Sequence, residues 1–412
     1  MLVGTVVSTA QNGTNSPYTR FGYGDLSNHS FGAGRSMGGI GIGLRSSRQI
    51  NPMNPASYSG MDSLTFLFDF GASFQFSAYK DGTNKQKDFN GNVEYMAMQF
   101  PLFKQVAMSA GLIPFSHVGY RFGEQKTSAD GQIHFDSFEG TGGLNQLFAG
   151  LSIELWKKRL SVGSNINYLF GTISHASITG FGSSNSTSVV SMSSTNFTDV
   201  TFDFGLQYVQ PLSKTDHFVF GLIHTPKKRL KNELYKSVSN GSEYLSQDTI
   251  TDTPYEVSDR YGVGVSYQTT TAKGKKLIVA ADYSLQEWDK VANPSKDFAF
   301  NNRSKFAAGF ELVPNLFSRP YINRMRYRAG LNYSNSYIKV NGNGFKEYGA
   351  TVGVGFPINL ISGNFEERSF INLSFEYVKK FPELKTMIIE NYFRLTLSYT
   401  FNEYWFFKRK VD

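Results

Sequence analysis

The sequence predicts an all-β fold: a 14-stranded antiparallel transmembrane β-barrel with an N-terminal plug (hatch) in the lumen. Three observations carry that reading. From Ser63 to the end, apolar and polar residues alternate with a period of two, as strands with one apolar face require. The connections between these strands switch between short and long, the habit of bacterial outer-membrane barrels. Residues 11–62, by contrast, are glycine-rich and carry no period at all.

Composition agrees with strands that meet a membrane on one face. Of 412 residues, 15% are aromatic and only 18% charged, with 40 Gly, 37 Phe and 23 Tyr. No run of about 18 apolar residues is present, so no helix of the chain would cross a bilayer. The absence of cysteine excludes a disulfide framework, a thiolate metal site and a cysteine nucleophile, and no cofactor is expected. Net charge is +8, but the basic residues are scattered. The short runs Lys157-Lys158-Arg159, Lys227-Lys228-Arg229 and Lys408-Arg409-Lys410 read as solvated strand ends and a terminus that meet headgroups, not as a nucleic-acid surface.

In chain order, Met1–Ala10 reads as the remnant of a signal peptide, an apolar stretch closing on Ser8-Thr9-Ala10. Residues 11–62 are the plug: a 14-stranded cylinder is too wide for its own side chains to fill, and irregular backbone is tolerated at membrane depth when protein surrounds it. Residues 63–401 form the barrel, with strands at 63–79, 92–101, 106–122, 143–155, 160–175, 197–210, 217–234, 256–268, 276–290, 301–313, 323–336, 346–356, 367–380 and 389–401. In Thr201–Tyr208 the even positions are Phe, Phe, Leu and Tyr and the odd ones Thr, Asp, Gly and Gln; Arg324–Tyr333 alternates arginines with apolar residues. Arg260, Arg303, Lys305, Glu311 and Glu376 fall on the inward phase and suit a wet lumen. Long polar loops are expected at 123–142, 176–196 and 235–255, and residues 402–412 form a periplasmic basic and aromatic tail. That tail suits the membrane interface or a periplasmic partner.

Two stretches carry a family resemblance. The glycine-rich run from Gly34 to Gly43, followed by Asn54-Pro55-Ala56 just ahead of the first strand, resembles the hatch of the FadL/TodX outer-membrane transport proteins. The third strand contributes Gly111-Leu112-Ile113-Pro114-Phe115-Ser116. In architecture the resemblance covers nearly the whole chain; at motif level it is confined to 34–62 and that strand. It implies passage of hydrophobic molecules such as long-chain fatty acids. It also implies that Asn54, Pro55 and Ala56 set the plug conformation, and that Gly111, Pro114 and Phe115 form a kink through which ligand leaves sideways into the membrane. The alternative for Pro114 is a harmless place at the strand's outer end, where no ladder needs its N–H. The chain departs from the family in its polar, Ser/Thr-rich loops and in a tail that continues past the last strand.

Enzyme chemistry finds no support in spacing. The six histidines are not paired as metal ligands, no Gly-x-Ser-x-Gly elbow occurs, and Gly39–Gly43 lacks the strand and helix of a dinucleotide loop. His134 with Asp136 or Ser137 is the nearest approach to a rim-borne catalytic group. In the lumen, Arg326 and Arg328 either meet a ligand's carboxylate or pair with Glu311 and its neighbours. The chain is therefore expected to move hydrophobic molecules across the outer membrane, with lipids as its surroundings and no nucleic-acid partner. The alternative is an accessory barrel in an outer-membrane protein complex, its plug shut, meeting partner proteins through its loops and tail.

Overall fold

The computed structural model describes residues 13–82, 84–127, 133–156, 159–181, 188–241, 243–358 and 369–404. Fourteen antiparallel strands make the wall. They are β1 (Thr65–Asp81), β2 (Asn84–Phe103), β3 (Val106–Thr127), β4 (Ile133–Leu155), β5 (Leu160–Phe181), β6 (Val189–Pro211) and β7 (His217–Thr225). The second half is β8 (Arg260–Thr270), β9 (Lys276–Gln286), β10 (Arg303–Val313), β11 (Arg326–Asn335), β12 (Phe345–Ile358), β13 (Ser369–Pro382) and β14 (Ile389–Tyr404). Each pairs with its neighbour in sequence, and β14 pairs with β1 from Tyr404↔Thr65 to Ile389↔Lys80. Hydrocarbon offers no partner to a free N–H or C=O, so closure is what an oily outer face demands.

Strand β1 shows how the sequence selects its faces. Thr65, Asp69, Ser73, Gln75 and Ser77 are buried toward the lumen, whereas Phe70, Phe74 and Phe76 stand on the exposed outer surface. The same phase runs round the ring, through Phe202 and Phe204 of β6 and Phe306 and Phe310 of β10. Exposed Phe103 and Trp156 mark the short-turn end, as an interfacial aromatic girdle would. This is an outer-membrane β-barrel.

At the opposite end, the wall continues where long loops were expected. Strands β3 to β6 run for 22 or 23 residues, about twice the ~9–11 that cross a membrane. Most of 123–142 and 176–196 is thus strand, and within Gly180–Ser194 both Gly180–Phe181 and Val189–Ser194 lie in the ladder; residues 128–132 and 182–187 lie outside the described range. The strand anticipated at 217–234 stops at Thr225, because Pro226 brings no N–H to continue it. A hairpin, Asn232–Asn240 with Glu243–Thr251, then takes over 235–251 and pairs with the upper half of β6. The final strand reaches Tyr404, so the boundary placed at 401 moves outward; residues 405–412 and the leader at 1–10 fall outside the described residues.

Residues 13–61 add only Asp25–Leu26 to the sheet. They are mostly buried and bond to inward positions all round the ring. Asn92 of β2 donates to the Gly13 carbonyl, Ser16 to Glu390 of β14, and the Gly38 N–H to Thr351 of β12. The segment thus bonds to the inward face of the wall, and it contains a short helix (Gly32–Ser36) and two 3-10 turns (Pro17–Arg20 and Pro55–Gly60).

Candidate functional site

Inward glycines give the segment its place. A Cβ at Gly205 would stand 2.2 Å from the Asn54 side-chain oxygen, and one at Gly163 would stand 2.5 Å from the Pro55 carbonyl carbon. A Cβ at Gly221 would meet the Ile42 carbonyl oxygen. Three strands thus offer bare backbone where Asn54-Pro55-Ala56 docks. Asn54, fully buried, caps the turn Pro55–Gly60: its side chain accepts from the Ala56 N–H at 3.1 Å and donates to the Ile42 and Leu206 carbonyls at 2.9 and 3.2 Å. No ladder satisfies the Ala56 N–H or the Ile42 carbonyl, and the Asn54 amide does so instead. Across the barrel, Gly309 and Gly330 leave room for Met37, and Gly38 makes its turn at φ +81°.

Charge holds what shape admits. The Asp282 carboxylate of β9 accepts three consecutive backbone N–H groups, from Gly41 (2.6 Å), Ile42 (2.8 Å) and Gly43 (3.2 Å). Consecutive N–H groups make an anion nest, so the loop that superficially resembles a dinucleotide site binds an internal carboxylate. Arg35 of the short helix pairs with Glu94 of β2 at 2.8 Å, both buried. Asp25 meets Lys380 of β13 at 2.5 Å, and Lys380 also faces Glu390 at 3.5 Å.

The wall is broken beside this segment. Strands β2 and β3 pair only from Phe103↔Val106 to Met96↔Leu112. Above that, β2 follows β1, β3 follows β4, and the β3–β4 register slips between Pro114 and Ser116, leaving Phe115 as a bulge. Pro114 has no N–H to extend the lost ladder. Residues of the N-terminal segment cap the freed edge of β3: Asp25↔His117 and Leu26↔Ser116 pair in register, Ser27 donates to the Phe115 carbonyl at 3.0 Å, and Thr19 bridges Gly119. A chamber of about 100 Å³ behind this point is lined by Leu26, His29, Phe115, Leu169 and Arg260, among others.

The two ends of the lumen differ. Toward the long-loop end, Tyr23 packs against Phe197, Tyr255 and Trp288 at 5.7 to 6.0 Å between rings. Its backbone N–H donates to the Tyr337 hydroxyl at 3.0 Å. Toward the short-turn end lies a cavity of about 670 Å³.

The sequence profile of the BamG family matches residues 1–412. The chain belongs to the BamG family. No curated protein matches this BamG-family sequence, but solved structures match its fold. The toluene transporter TbuX of Ralstonia pickettii is 14% identical with a TM-score of 0.59, over 90% of this chain and 98% of that one. The toluene transporter TodX of Pseudomonas putida is 14% identical with a TM-score of 0.59, over 93% and 100%. A FadL homologue of Pseudomonas aeruginosa is 12% identical with a TM-score of 0.58, over 92% and 99%. The FadL/TodX resemblance thus holds for the fold, and the family that matches in sequence is BamG.

In this BamG-family barrel the residues singled out from sequence fall in three places. Asn54, Pro55 and Ala56 dock on β5 to β7; Gly111, Pro114 and Phe115 flank the break; Arg326 and Arg328 sit across the ring on β11. Gly111 stays within the paired β2–β3 ladder, opposite Ala97. Arg328 donates to Glu311 and Asn372, both at 2.7 Å, and Arg326 lies 3.5 Å from Glu311 with its guanidinium 3.9 Å over Phe370. Asp136, near His134, accepts from Lys126 and Thr179, and Lys228 of a basic run pairs with Asp199 at 2.6 Å. Sequence reading missed Asp282, Glu94 and Asp25. Asp282 had a signal: it is a carboxylate on the inward phase of the otherwise apolar run Leu277–Ala281.

Proposed function

We propose that this barrel is an outer-membrane conduit for small hydrophobic molecules. Residues 11–62 act as its plug, and the break between β2 and β3 is a lateral exit into the bilayer. The observation that carries this reading is the loss of the β2–β3 ladder above Met96↔Leu112, in a wall otherwise paired all round. An unpaired edge at membrane depth costs several kcal/mol per group. Here a separable segment, Asp25–Leu26, supplies the partner instead of the neighbouring strand. Withdrawal of that segment would open the chamber beside Phe115 to lipid, so an apolar ligand would avoid the aqueous periplasm. At about 100 Å³ the chamber is smaller than the ~300 Å³ of ordinary ligand pockets; passage requires the plug to shift. The likeness to barrels named as toluene transporters supports the ligand class.

A second reading, an accessory barrel with a closed plug, is favoured by the aromatic packing around Tyr23 and by the buried Arg35–Glu94 pair. One experiment separates the two. The sequence has no cysteine, so Leu26→Cys with Ser116→Cys, opposed in register, gives a single reversible lock. Transport predicts that oxidation lowers uptake of an apolar dye into liposomes by about tenfold or more and that reduction restores it, since closing the exit removes the only route. Equal flux in both redox states contradicts the lateral exit and leaves the accessory reading, which further predicts that truncation after Tyr404, the end of β14, loses a co-purifying protein.

A further inference from the structure

We propose that the cavity at the short-turn end binds an anionic amphiphile, a phosphate head carried on an apolar tail, reached from the periplasm. Its volume, about 670 Å³, lies within the ~300–1,000 Å³ of small-molecule pockets. Five cations line it, Arg45 and Arg48 from the N-terminal segment, Lys276 from β9, and Arg324 and Arg326 at the start of β11, against one carboxylate, Glu311. That carboxylate is already shared, since Arg328 and Arg326 both lie against it. Arg45 is held by Glu154 at 3.0 Å. Lys276, by contrast, has no carboxylate within ion-pair distance among the described residues; it sits in the field of three guanidiniums, Arg326, Arg48 and Arg328, opposed by Glu311 alone.

Cations brought together in a half-enclosed space repel one another. A bound anion reverses the sign of that interaction, and guanidinium forks match phosphate oxygens two at a time. Beside polar residues such as Ser46, Gln49 and Asn51, the lining holds an apolar group: Phe31, Met37, Ile40, Ile50 and Ile278. A free inorganic ion would leave that surface wet, whereas a tail would cover it. Short turns face the periplasm in outer-membrane barrels, so the site opens away from the β2–β3 break and does not depend on the transport reading.

The test uses the full chain in dodecyl maltoside, with equilibrium binding of dodecyl phosphate, dodecanol and inorganic phosphate. Dodecyl phosphate is expected to bind at least about tenfold more tightly than either of the others. Lys276→Gln should weaken it about tenfold while leaving dodecanol unchanged; Arg121→Gln, at a side chain 78% exposed on the long-loop side, should change nothing. If Lys276→Gln fails to show the gel mobility of a folded barrel, Arg48→Gln reads the same contact. Binding of inorganic phosphate as tight as that of dodecyl phosphate would overturn the amphiphile. Binding of dodecanol as tight as that of dodecyl phosphate, or equal losses in Lys276→Gln and Arg121→Gln, would overturn the site.

Discussion

Asp282→Ala is expected to free the N-terminal segment while the barrel stays closed. The carboxylate accepts from Gly41, Ile42 and Gly43 at 2.6, 2.8 and 3.2 Å. Alanine leaves three buried donors without an acceptor, each at about 1–3 kcal/mol. The sum is comparable to the ~5–15 kcal/mol that holds a whole domain. The strand itself loses nothing, because its ladder to β8 and β10 uses backbone groups. Limited trypsin digestion of the folded protein reads the difference. Arg35 is 3% exposed, so wild-type protein should resist cleavage there, and Asp282→Ala should be cut with barrel gel mobility unchanged. Asp282→Asn, which keeps one acceptor oxygen, should fall between. Equal protection in all three would show that the nest is not what retains the segment.

The second large effect lies in the wall. Glu311→Leu leaves Arg328, whose side chain is 0% exposed, without its partner at 2.7 Å. Breaking a buried pair from one side costs about 3–5 kcal/mol, because the remaining charge stays desolvated. Arg326 has an alternative seat over Phe370; among the described residues Arg328 keeps only Asn372. The single variant should unfold at distinctly lower denaturant concentration than wild type in detergent. Glu311→Leu with Arg328→Met, which removes both charges, should recover most of the loss. A single variant as stable as wild type would mean that water reaches Arg328.

The wall was legible because its rule is local. Each residue's face follows from the parity of its position, and each of the fourteen strands overlaps a segment that alternation marked, although the seventh stops at Thr225. Alternation does not report where a strand leaves the membrane, which is why 123–142 and 176–196 read as loops although their described residues mostly continue as ladders. Pro114 marked the irregular point in β3, since a missing N–H is visible in sequence. The lost β2–β3 pairing above it was not, because it depends on where β2 goes. The segment's docking was half legible. Inward glycines such as Gly205 and Gly221 were readable as gaps, but their occupants, Asn54 and Ile42, come from more than 150 residues away. The long-range pairs Asp25–Lys380 and Arg35–Glu94 had no sequence signal at all: any inward carboxylate was a candidate.

Planar-bilayer recording tests the central claim most directly, that a closed wall is stoppered and sealed at its break by its own N-terminal segment. The full chain should be electrically silent, and a chain lacking residues 13–60, with barrel gel mobility retained, should open a steady aqueous conductance. Equal silence in both, or steady current through the intact chain, would contradict it.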